Sequence, residues 1–222
     1  MCGRFARSTK PDVVIREFGV RKALAEPVPG YNIAPGQDII ILNNQGEKQL
    51  VTSRWGFIPY WAKDPVSGCR MINARAETVA EKPAFMAAFL DHRCLVIADG
   101  FFEWRKGDRG KKPYYIHLKS GRPFGFAGLY STLTSPQGES ICTCTIITTD
   151  ANELLSPVHN RMPVIIPKNK EDLWLDPGMQ DQNILRGLLR PYPAEEMVMY
   201  PVSPKVNSPK FNSPDALKPE AM

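Results

Sequence analysis

Residues 94–106 have the sequence CLVIADGFFEWRK, and this stretch decides the fold class. The apolar run at residues 94–98 predicts a buried strand, and residues 99–100 (DG) mark a turn. The mixed apolar and polar residues 101–106 predict a second strand, which turns back through the basic, glycine-containing hairpin of residues 107–112. Short strands that follow one another through tight turns are typical of an antiparallel sheet.

The same pattern extends outward along the chain. Further strands are predicted at residues 38–42, 49–55, 70–73, 114–118, 124–130, 141–148, 164–166 and 197–202, and helices at residues 83–90, 170–175 and 181–189. Another helix is predicted between the capping residue Thr9 and the stop signal Gly19, with Pro11 in its first turn.

No internal repeat or long linker separates these elements. Many short, mostly hairpin-connected strands with helices between them predict the α+β class. We expect a single domain over residues 1–222, with a strongly curved, mainly antiparallel, barrel-like sheet and flanking short helices. Residues 203–222 are rich in Pro, Asn and Ser, and we expect an irregular surface segment there.

Composition limits the possible functions. The 222 residues are 43% hydrophobic, which suits a packed globular domain, and the net charge of +5 is compatible with a nucleic-acid partner without identifying one. No apolar run approaches the ~18 residues of a membrane span, and the opening residues lack the apolar run of a secretory signal. The sequence therefore predicts a cytoplasmic protein with reduced cysteines.

Four of the cysteines lack the spacing of a zinc site. They are Cys69, Cys94, Cys142 and Cys144, with no C-x-x-C pair and no histidine at zinc-finger spacing. We expect them to be small buried hydrophobic residues. Because the sequence also has no glycine-rich phosphate loop, neither a metal nor another cofactor is expected.

Cys2 is set apart by its position. A small residue at position 2 permits removal of Met1, which leaves an α-amine and a thiol on adjacent carbons. These groups titrate near ~7.7–8.0 and ~8.5, and we expect a nearby cation such as Arg4 to increase the thiolate fraction. A 1,2-aminothiol reacts with aldehydes to give a Schiff base and then a thiazolidine. Thiol acyl-transfer catalysis and a cysteine placed here by chance remain alternatives.

Glu103 is a carboxylic acid within an aromatic strand. Alternation places it on the same face as Phe101 and Arg105, whereas Phe102 and Trp104 face the other way. A carboxyl group partly enclosed by aromatic rings has a raised pKa, which suits proton transfer near neutral pH. The alternative is an ion pair with Arg105 on a solvated face of the sheet.

Of three histidines, His159 is the strongest candidate for chemistry. His92 follows a predicted helix, and His117 alternates with apolar residues on a strand, which indicates a surface position. His159 lies in a loop with Pro157 on one side and Pro163 on the other, so its titratable ring is held on a rigid segment beside an arginine.

Residues 72–77 (INARAE) offer polar groups on one face. If this segment is extended, Asn73, Arg75 and Glu77 point the same way, and an amide beside a guanidinium suits orienting a polar substrate and binding a phosphate. A turn stabilised by Asn, with a surface salt bridge, is the alternative.

The aromatic segment at residues 55–61 is a candidate for contact with nucleic-acid bases. Trp55, Phe57, Tyr60 and Trp61 could stack on nucleic-acid bases, although core packing is the preferred interpretation.

Six motifs occur in one order: residues 1–5 (MCGRF), 31–35 (YNIAP), 55–59 (WGFIP), 72–78 (INARAET), 98–104 (ADGFFEW) and 159–163 (HNRMP). Together they resemble the SRAP family, the SOS-response-associated peptidase proteins, which are bacterial relatives of an animal 5-hydroxymethylcytosine-binding protein that shields abasic sites. The resemblance extends to residues 202–207 (VSPKVN), almost the whole chain.

The resemblance implies that Cys2, once Met1 is removed, forms a thiazolidine with the aldehyde of an abasic site in DNA. It further implies that Glu103 assists sugar ring opening and proton transfer. His159 looks like the residue that hydrogen-bonds the opened sugar, and Asn73 looks like the amide that orients Cys2. The implied function is to shield the lesion during the DNA damage response.

The resemblance also implies a DNA-contacting surface. Arg4, Arg75 and Arg161 resemble the family's contacts with the DNA backbone, and the loops that contain Pro35 and Trp55 resemble those that approach the strand. The expected partner is single-stranded DNA or a single-to-double-strand junction that contains an abasic site, bound by a monomer.

Two other functions stay open on the sequence. One is a thiol autopeptidase in which Cys2, Glu103 and His159 carry out acyl transfer, as the family name suggests. The other is a non-enzymatic module that binds modified bases without covalent chemistry.

Overall fold

The structure is a computed structural model, and it describes residues 2–62, 71–107, 110–134 and 138–220. Sequence predictions that concern Met1, Cys69, Arg70 and the hairpin turn at residues 108–109 fall outside these described residues.

The described residues form fourteen strands and four α-helices. The strands are β1 (Phe5–Arg7), β2 (Lys22–Ala23), β3 (Gly30–Ile33), β4 (Asp38–Asn44), β5 (Lys48–Trp55), β6 (Asn73–Arg75), β7 (Arg93–Ala98), β8 (Gly100–Gly107), β9 (Gly110–Leu118), β10 (Phe124–Thr134), β11 (Ser140–Asp150), β12 (Arg161–Pro163), β13 (Ile165–Ile166) and β14 (Met197–Pro201). The α-helices are α1 (Pro11–Phe18), α2 (Met86–Asp91), α3 (Glu171–Leu175) and α4 (Gln182–Gly187), with 3-10 helices at Lys168–Lys170, Ala194–Glu196, Pro204–Asn207 and Pro214–Leu217.

Five of these strands close into a barrel. In the order β11, β10, β7, β4 and β5, each strand pairs antiparallel with the next. β5 then pairs in parallel with β11, where Arg54 lies opposite Thr143 and Trp55 opposite Cys144. This closure gives the strong curvature that the sequence predicted and confirms the single-domain α+β class.

A second, antiparallel sheet has the strand order β14, β9, β8, β1 and β3. The chain passes from the barrel to this sheet at Asp99, between the last residue of β7 and the first of β8. The Asp99 carboxylate accepts hydrogen bonds from the backbone N–H of Thr9, at 2.7 Å, and from the Ser8 hydroxyl, at 3.1 Å. These bonds fix the C-terminal end of β1 at the joint between the two sheets.

Both faces of β7 are buried, which explains its uninterrupted apolar run. Leu95 and Ile97 belong to an apolar cluster that includes residues of all four α-helices. Val96 and Ala98 belong to a second cluster, which they share with Phe101 of the second sheet. The space between barrel and second sheet is therefore apolar core.

Helix α1 ends where the sequence predicted, but its N-cap residue differs from the predicted one. It ends before Gly19, whose φ of 61° is the left-handed conformation of a helix C-terminus. The N-cap position is occupied by Lys10 without a side-chain cap, and the Thr9 hydroxyl donates to Asp99 instead. The prediction that Thr9 caps α1 was wrong because the helix begins at Pro11, so the N-cap position falls on Lys10 and Thr9 lies one residue before it.

Two further boundaries differ from the sequence prediction. The second helix begins at Met86 rather than Pro83, because the residues before it form turns. The short strand expected at residues 70–73 lies at Asn73–Arg75, where it pairs in parallel with β11. Pairing with a distant strand, and not local propensity, sets this boundary.

The C-terminal segment is more ordered than the expected irregular surface segment. Its two 3-10 helices, Pro204–Asn207 and Pro214–Leu217, place Val206 and Ala216 in a small apolar cluster beside the second sheet. The buried Asn32 amide donates to the carbonyl oxygens of Val206 and Phe211, at 3.1 and 2.9 Å. The segment is therefore held by a side chain more than 170 residues earlier in the chain.

None of the helices within the described ranges is long and apolar enough to cross a bilayer.

Close approach of β9 makes Gly100 indispensable at the start of β8. A Cβ added to Gly100 would lie 2.6 Å from the Ile116 carbonyl oxygen and also overlap the Tyr115 ring. We expect Gly100→Ala to lower the free energy of unfolding by about 1–3 kcal/mol or more, as overpacking does. Chemical denaturation measures this. Gly107→Ala is the control on the same strand, since its nearest neighbour would lie 3.6 Å away, and a similar loss there would refute the steric explanation.

Candidate active site

Cys2 lies in the core at the junction of the barrel and the second sheet. Its exposed fraction is 0%, and its Sγ is 4.0 Å from the Arg4 carbonyl oxygen. Burial, followed by the negative charge of Glu103, raises the pKa of the Cys2 thiol far above its ordinary value. The thiol is therefore protonated at neutral pH in this structure.

The expectation that Arg4 increases the thiolate fraction of Cys2 was wrong. The Arg4 guanidinium is directed at other groups: its Nη1 donates to Asn32 Oδ1 and to the Val206 carbonyl oxygen, both at 2.8 Å. It also lies 5.6 Å from the centre of the Trp104 ring. Arg4 thus links the second sheet to the C-terminal segment.

Glu103 is buried close to Cys2, with 3% of its surface exposed. Burial raises the pKa of its carboxyl group, and interactions with nearby groups oppose the shift in part. This confirms the expected raised pKa. The alternative pair with Arg105 is not formed, since Arg105 is exposed and its guanidinium lies 5.9 Å from the centre of the Tyr114 ring.

His159 is held on the loop between β11 and β12. The backbone N–H of Arg161 donates to His159 Nδ1 at 3.0 Å. A nitrogen that accepts a hydrogen bond carries no proton, so the neutral ring has its N–H at Nε2. The loop therefore fixes both the orientation and the tautomer of the imidazole.

A cavity of about 480 Å³ connects these groups to the surface. Its lining comprises Arg4, Glu103, Trp104, Lys106, Lys111, His159 and Asn207. The structure thus brings Glu103 and His159 to one cavity, with Cys2 buried near Glu103. A carboxyl group with a raised pKa, an imidazole and a primary thiol can together carry out nucleophilic addition with proton transfer.

Four of the cavity residues were missed by the sequence reasoning about the site. Trp104 Nε1 donates to Asn207 Oδ1 at 2.7 Å, so the C-terminal segment forms one wall of the cavity. Lys106 and Lys111 belong to the basic hairpin, and its basic composition was the feature of the sequence that could have indicated them as site residues. Trp104 and Asn207 lie in the family-like segments 98–104 and 202–207, but their contact spans 103 residues, so the sequence did not indicate that together they form a wall of the cavity.

Asn73 does not line this cavity. It lies on β6 opposite Ile146 of β11, and its Nδ2 donates weakly to the Ile146 carbonyl oxygen, at 3.4 Å. Its Oδ1 is buried, and no donor within the described residues is hydrogen-bonded to it. The Asn73 Oδ1 can therefore accept a hydrogen bond from a donor that reaches it inside the protein.

The two arginines that were expected at the DNA backbone differ in environment. Arg75 is exposed. Arg161 is not: its side chain is 13% exposed, and its guanidinium donates to Glu77 Oε1 at 2.7 Å, Asp150 Oδ1 at 2.9 Å and the Thr148 carbonyl oxygen at 2.6 Å. Through these contacts Arg161 links β11, β12 and the segment after β6.

The two loop residues that were expected to approach the DNA, Pro35 and Trp55, also differ in exposure. Trp55 has 0% exposure, and its indole N–H donates to the Ile72 carbonyl oxygen at 2.9 Å, so its expected contact with DNA is corrected to a core position. Pro35 is exposed. Tyr60 and Trp61 of the same aromatic segment are 69% and 56% exposed, and they are its members that can stack on a ligand.

The remaining cysteines are partly as expected. Cys94 and Cys144 are fully buried, whereas Cys142 is half-buried. Within the described ranges, no group of three or more His, Cys, Asp or Glu side chains is placed to hold a metal ion.

Fold and site define a class: a barrel-based α+β protein in which the second residue is a buried thiol beside a carboxyl group and an imidazole. The model of the family described as SOS response associated peptidase (SRAP) matches residues 1–209, and the chain belongs to this family.

Several known proteins are similar over most of the chain. Abasic site processing protein YoqW of Bacillus subtilis is 46% identical over 212 residues, which cover 94% of this chain and 95% of YoqW. Abasic site processing protein YedK of Escherichia coli is 32% identical over 182 residues, 79% of each chain. A crystal structure of a protein from Bacteroides thetaiotaomicron, 29% identical, superposes with a TM-score of 0.88 over 99% of this chain and 100% of that one.

The contacts of Arg161 predict a structural role for its planar guanidinium. Arg161→Lys keeps the charge but cannot bond Glu77 and Thr148 together, so we expect a loss of about 1.5–3 kcal/mol in the free energy of unfolding, typical of a hydrogen bond to a charged group. Arg75→Lys, at an exposed position, is expected to stay within about 0.5 kcal/mol. Urea denaturation compares the two, and equal stabilities of both variants would contradict the assignment.

Proposed function

We propose that the protein recognises abasic sites in single-stranded DNA and, after removal of Met1, binds them covalently through Cys2. The observation that carries the proposal is the location of Cys2 beside Glu103, with Glu103 and His159 lining one open cavity. Membership of the SRAP family and similarity to proteins named for abasic site processing support it. At a coarser level, the same observations support a role in DNA processing.

The chemistry balances without an external reagent. In the opened form of an abasic sugar, C1′ is an aldehyde. The Cys2 amine adds to C1′, and loss of the aldehyde oxygen as water gives a Schiff base. The Cys2 thiol then adds to the same carbon and closes a thiazolidine. One N–H proton and the S–H proton leave with the oxygen, so the overall products are the thiazolidine and one water.

Glu103 has the properties needed to transfer these protons. Because burial raises the pKa of its carboxyl group, the acid form is retained to higher pH than in an exposed glutamic acid and can protonate the departing oxygen. The carboxylate that remains lies near the Cys2 thiol and can accept its proton as the carbon–sulfur bond forms. A thiol whose pKa is raised therefore needs no permanent thiolate in this reaction.

His159 and Asn73 have orienting roles in the proposal. The His159 Nε2–H, fixed by the bond from the Arg161 backbone to Nδ1, can donate to a hydroxyl of the opened sugar. The buried Oδ1 of Asn73 is an acceptor that can hold an amine N–H. Neither group has to change its covalent state during crosslink formation.

We choose the proposed DNA contacts among the residues whose side chains are accessible to a ligand. Arg75 and Pro35 are exposed and remain proposed contacts, together with Arg4 at the cavity wall. Tyr60 and Trp61 replace Trp55 as the aromatic side chains that stack on bases. An unpaired strand or a single-to-double-strand junction suits them, because bases in a duplex are already stacked. We propose that a monomer binds the DNA.

The autopeptidase alternative differs from this reaction in its first step. Acyl transfer would begin at the Cys2 thiol, whose pKa burial raises, whereas Schiff base formation begins at the Cys2 amine.

Replacement of Cys2 tests the proposal directly. Cys2→Ala is expected to abolish the crosslink to an abasic oligonucleotide that survives a denaturing gel, while non-covalent affinity changes little because no basic side chain is lost. Intact mass of the wild-type protein verifies removal of Met1. Cys142→Ser is the control for loss of a different thiol. A stable, unreduced crosslink formed by Cys2→Ala would exclude the thiazolidine.

Glu103 is expected to control the rate and its pH dependence. Glu103→Gln should slow crosslinking at saturating protein by about 10²-fold or more, the usual effect of removing a general acid or base. The wild-type rate should rise as the amine loses its proton near ~7.7–8.0. It should fall as pH rises through the raised pKa of Glu103, because the acid form is consumed.

Single-turnover time courses at several pH values measure both the rising and the falling limb of the plot of crosslinking rate against pH. The Glu103→Gln variant is expected to keep the rising limb and lose the falling one, since only the amine still titrates. A wild-type rate for this variant at all pH values would assign Glu103 a structural role, and lost DNA affinity would assign it to binding.

A further inference from the structure

The hairpin between β8 and β9 carries four cations in two cross-strand pairs. The strand register places Arg105 opposite Lys112 and Lys106 opposite Lys111. Side chains alternate along a strand, so the two pairs project from opposite faces of the hairpin. Residues directly opposite each other have Cβ atoms only about 4.5–5.5 Å apart, and like charges in such a pair are destabilising.

The protein itself compensates one of these pairs. The Lys112 Nζ is 2.9 Å from Glu220 Oε2, and the Arg105 guanidinium lies over the Tyr114 ring. This pair therefore has protein partners for both of its cations, and its positive charge has a structural use.

The other pair borders the candidate active site. Lys106 and Lys111 are exposed, and both line the cavity that also contains Glu103 and His159. Among the residues that the structure describes, no carboxylate forms an ion pair with either lysine. Two like charges are thus held side by side in the lining of the cavity, and both are exposed at its edge.

We propose that Lys106 and Lys111 together bind a backbone phosphate that flanks the abasic nucleotide. The inference rests on the proposed function and deepens it, because it names the part of the DNA that the hairpin recognises. A phosphodiester has one negative charge and two non-bridging oxygens, so each ammonium can donate to one of them. The bound anion also removes the repulsion within the pair.

The position of the pair determines what its loss would change. The lysines are at the edge of the cavity and do not take part in proton transfer, so they contribute to capture of the strand and not to the chemical step. Their removal should weaken DNA binding while leaving the crosslinking rate at saturating protein close to that of the wild type. Variants of Glu103 are expected to show the opposite behaviour.

The experiment compares two double variants that lose the same charge from the same hairpin. Lys106→Gln with Lys111→Gln removes the proposed phosphate site, and Arg105→Gln with Lys112→Gln is the matched control. Affinity for an undamaged single-stranded oligonucleotide is measured by fluorescence anisotropy over a range of salt concentrations. The first double variant should reduce the slope of log affinity against log salt by about 0.7, the value for one lost phosphate contact on a single strand. The control should keep the wild-type slope.

An oligonucleotide in which one phosphate at a time is a neutral methylphosphonate identifies the contact. Neutralising one phosphate beside the abasic nucleotide should weaken binding by the wild type and have no further effect on the Lys106→Gln, Lys111→Gln protein. Equal losses of slope in the two double variants would assign the effect to net charge and overturn the proposal. So would an unchanged slope in the first.

The outcomes separate the two proposals. Absence of a wild-type crosslink on abasic DNA would refute the proposed function. The anisotropy measurements on undamaged DNA would still test whether Lys106 and Lys111 bind a phosphate. A normal wild-type crosslink together with wild-type salt dependence of Lys106→Gln, Lys111→Gln would refute the hairpin proposal alone. Failure of the wild type to bind any single-stranded DNA would refute both.

Discussion

The carboxylate of Asp99 holds the first strand of the protein at the joint between its two sheets. Ser8 and Thr9 donate to this carboxylate immediately after β1, and the Asp99 backbone N–H donates to the Ala6 carbonyl oxygen at 2.8 Å. The first residues of a chain usually fray unless they are tied down. Here β1 is fixed between β3 and β8, and the residues before it are drawn into the core with Cys2.

Burial of that terminal segment governs the electrostatics of the site. Cys2 and Glu103 occupy the same poorly hydrated space, and burial is the largest cause of the raised pKa in each. Burial disfavours the charged form of both groups, so their pKa values rise for the same physical reason. In the proposed reaction, addition to an aldehyde uses these proton-bearing forms. Stability and reactivity are therefore compatible at this position.

The cationic side chains of this protein differ in what they contact. The guanidinium groups of Arg4 and Arg161 bond protein acceptors and fix neighbouring segments. Lys106 and Lys111 instead lie at the edge of the cavity. A small net positive charge conceals this division, since a count of charges does not tell a cation that holds the fold together from one that is open to a ligand. The hydrogen bonds and exposure of each side chain distinguish the two kinds of cation.

The sequence by itself determined the α+β class, most strand and helix positions and the candidates Cys2, Glu103 and His159, because alternation, turn residues and unusual chemistry are local properties. Only the tertiary structure decided that β5 closes the barrel on β11, that Trp55 is core and that Arg161 is engaged by Glu77. These outcomes depend on contacts between residues far apart in the chain. Whether a polar or aromatic side chain reaches solvent is set by the partner that packs against it, and no local pattern contains that partner.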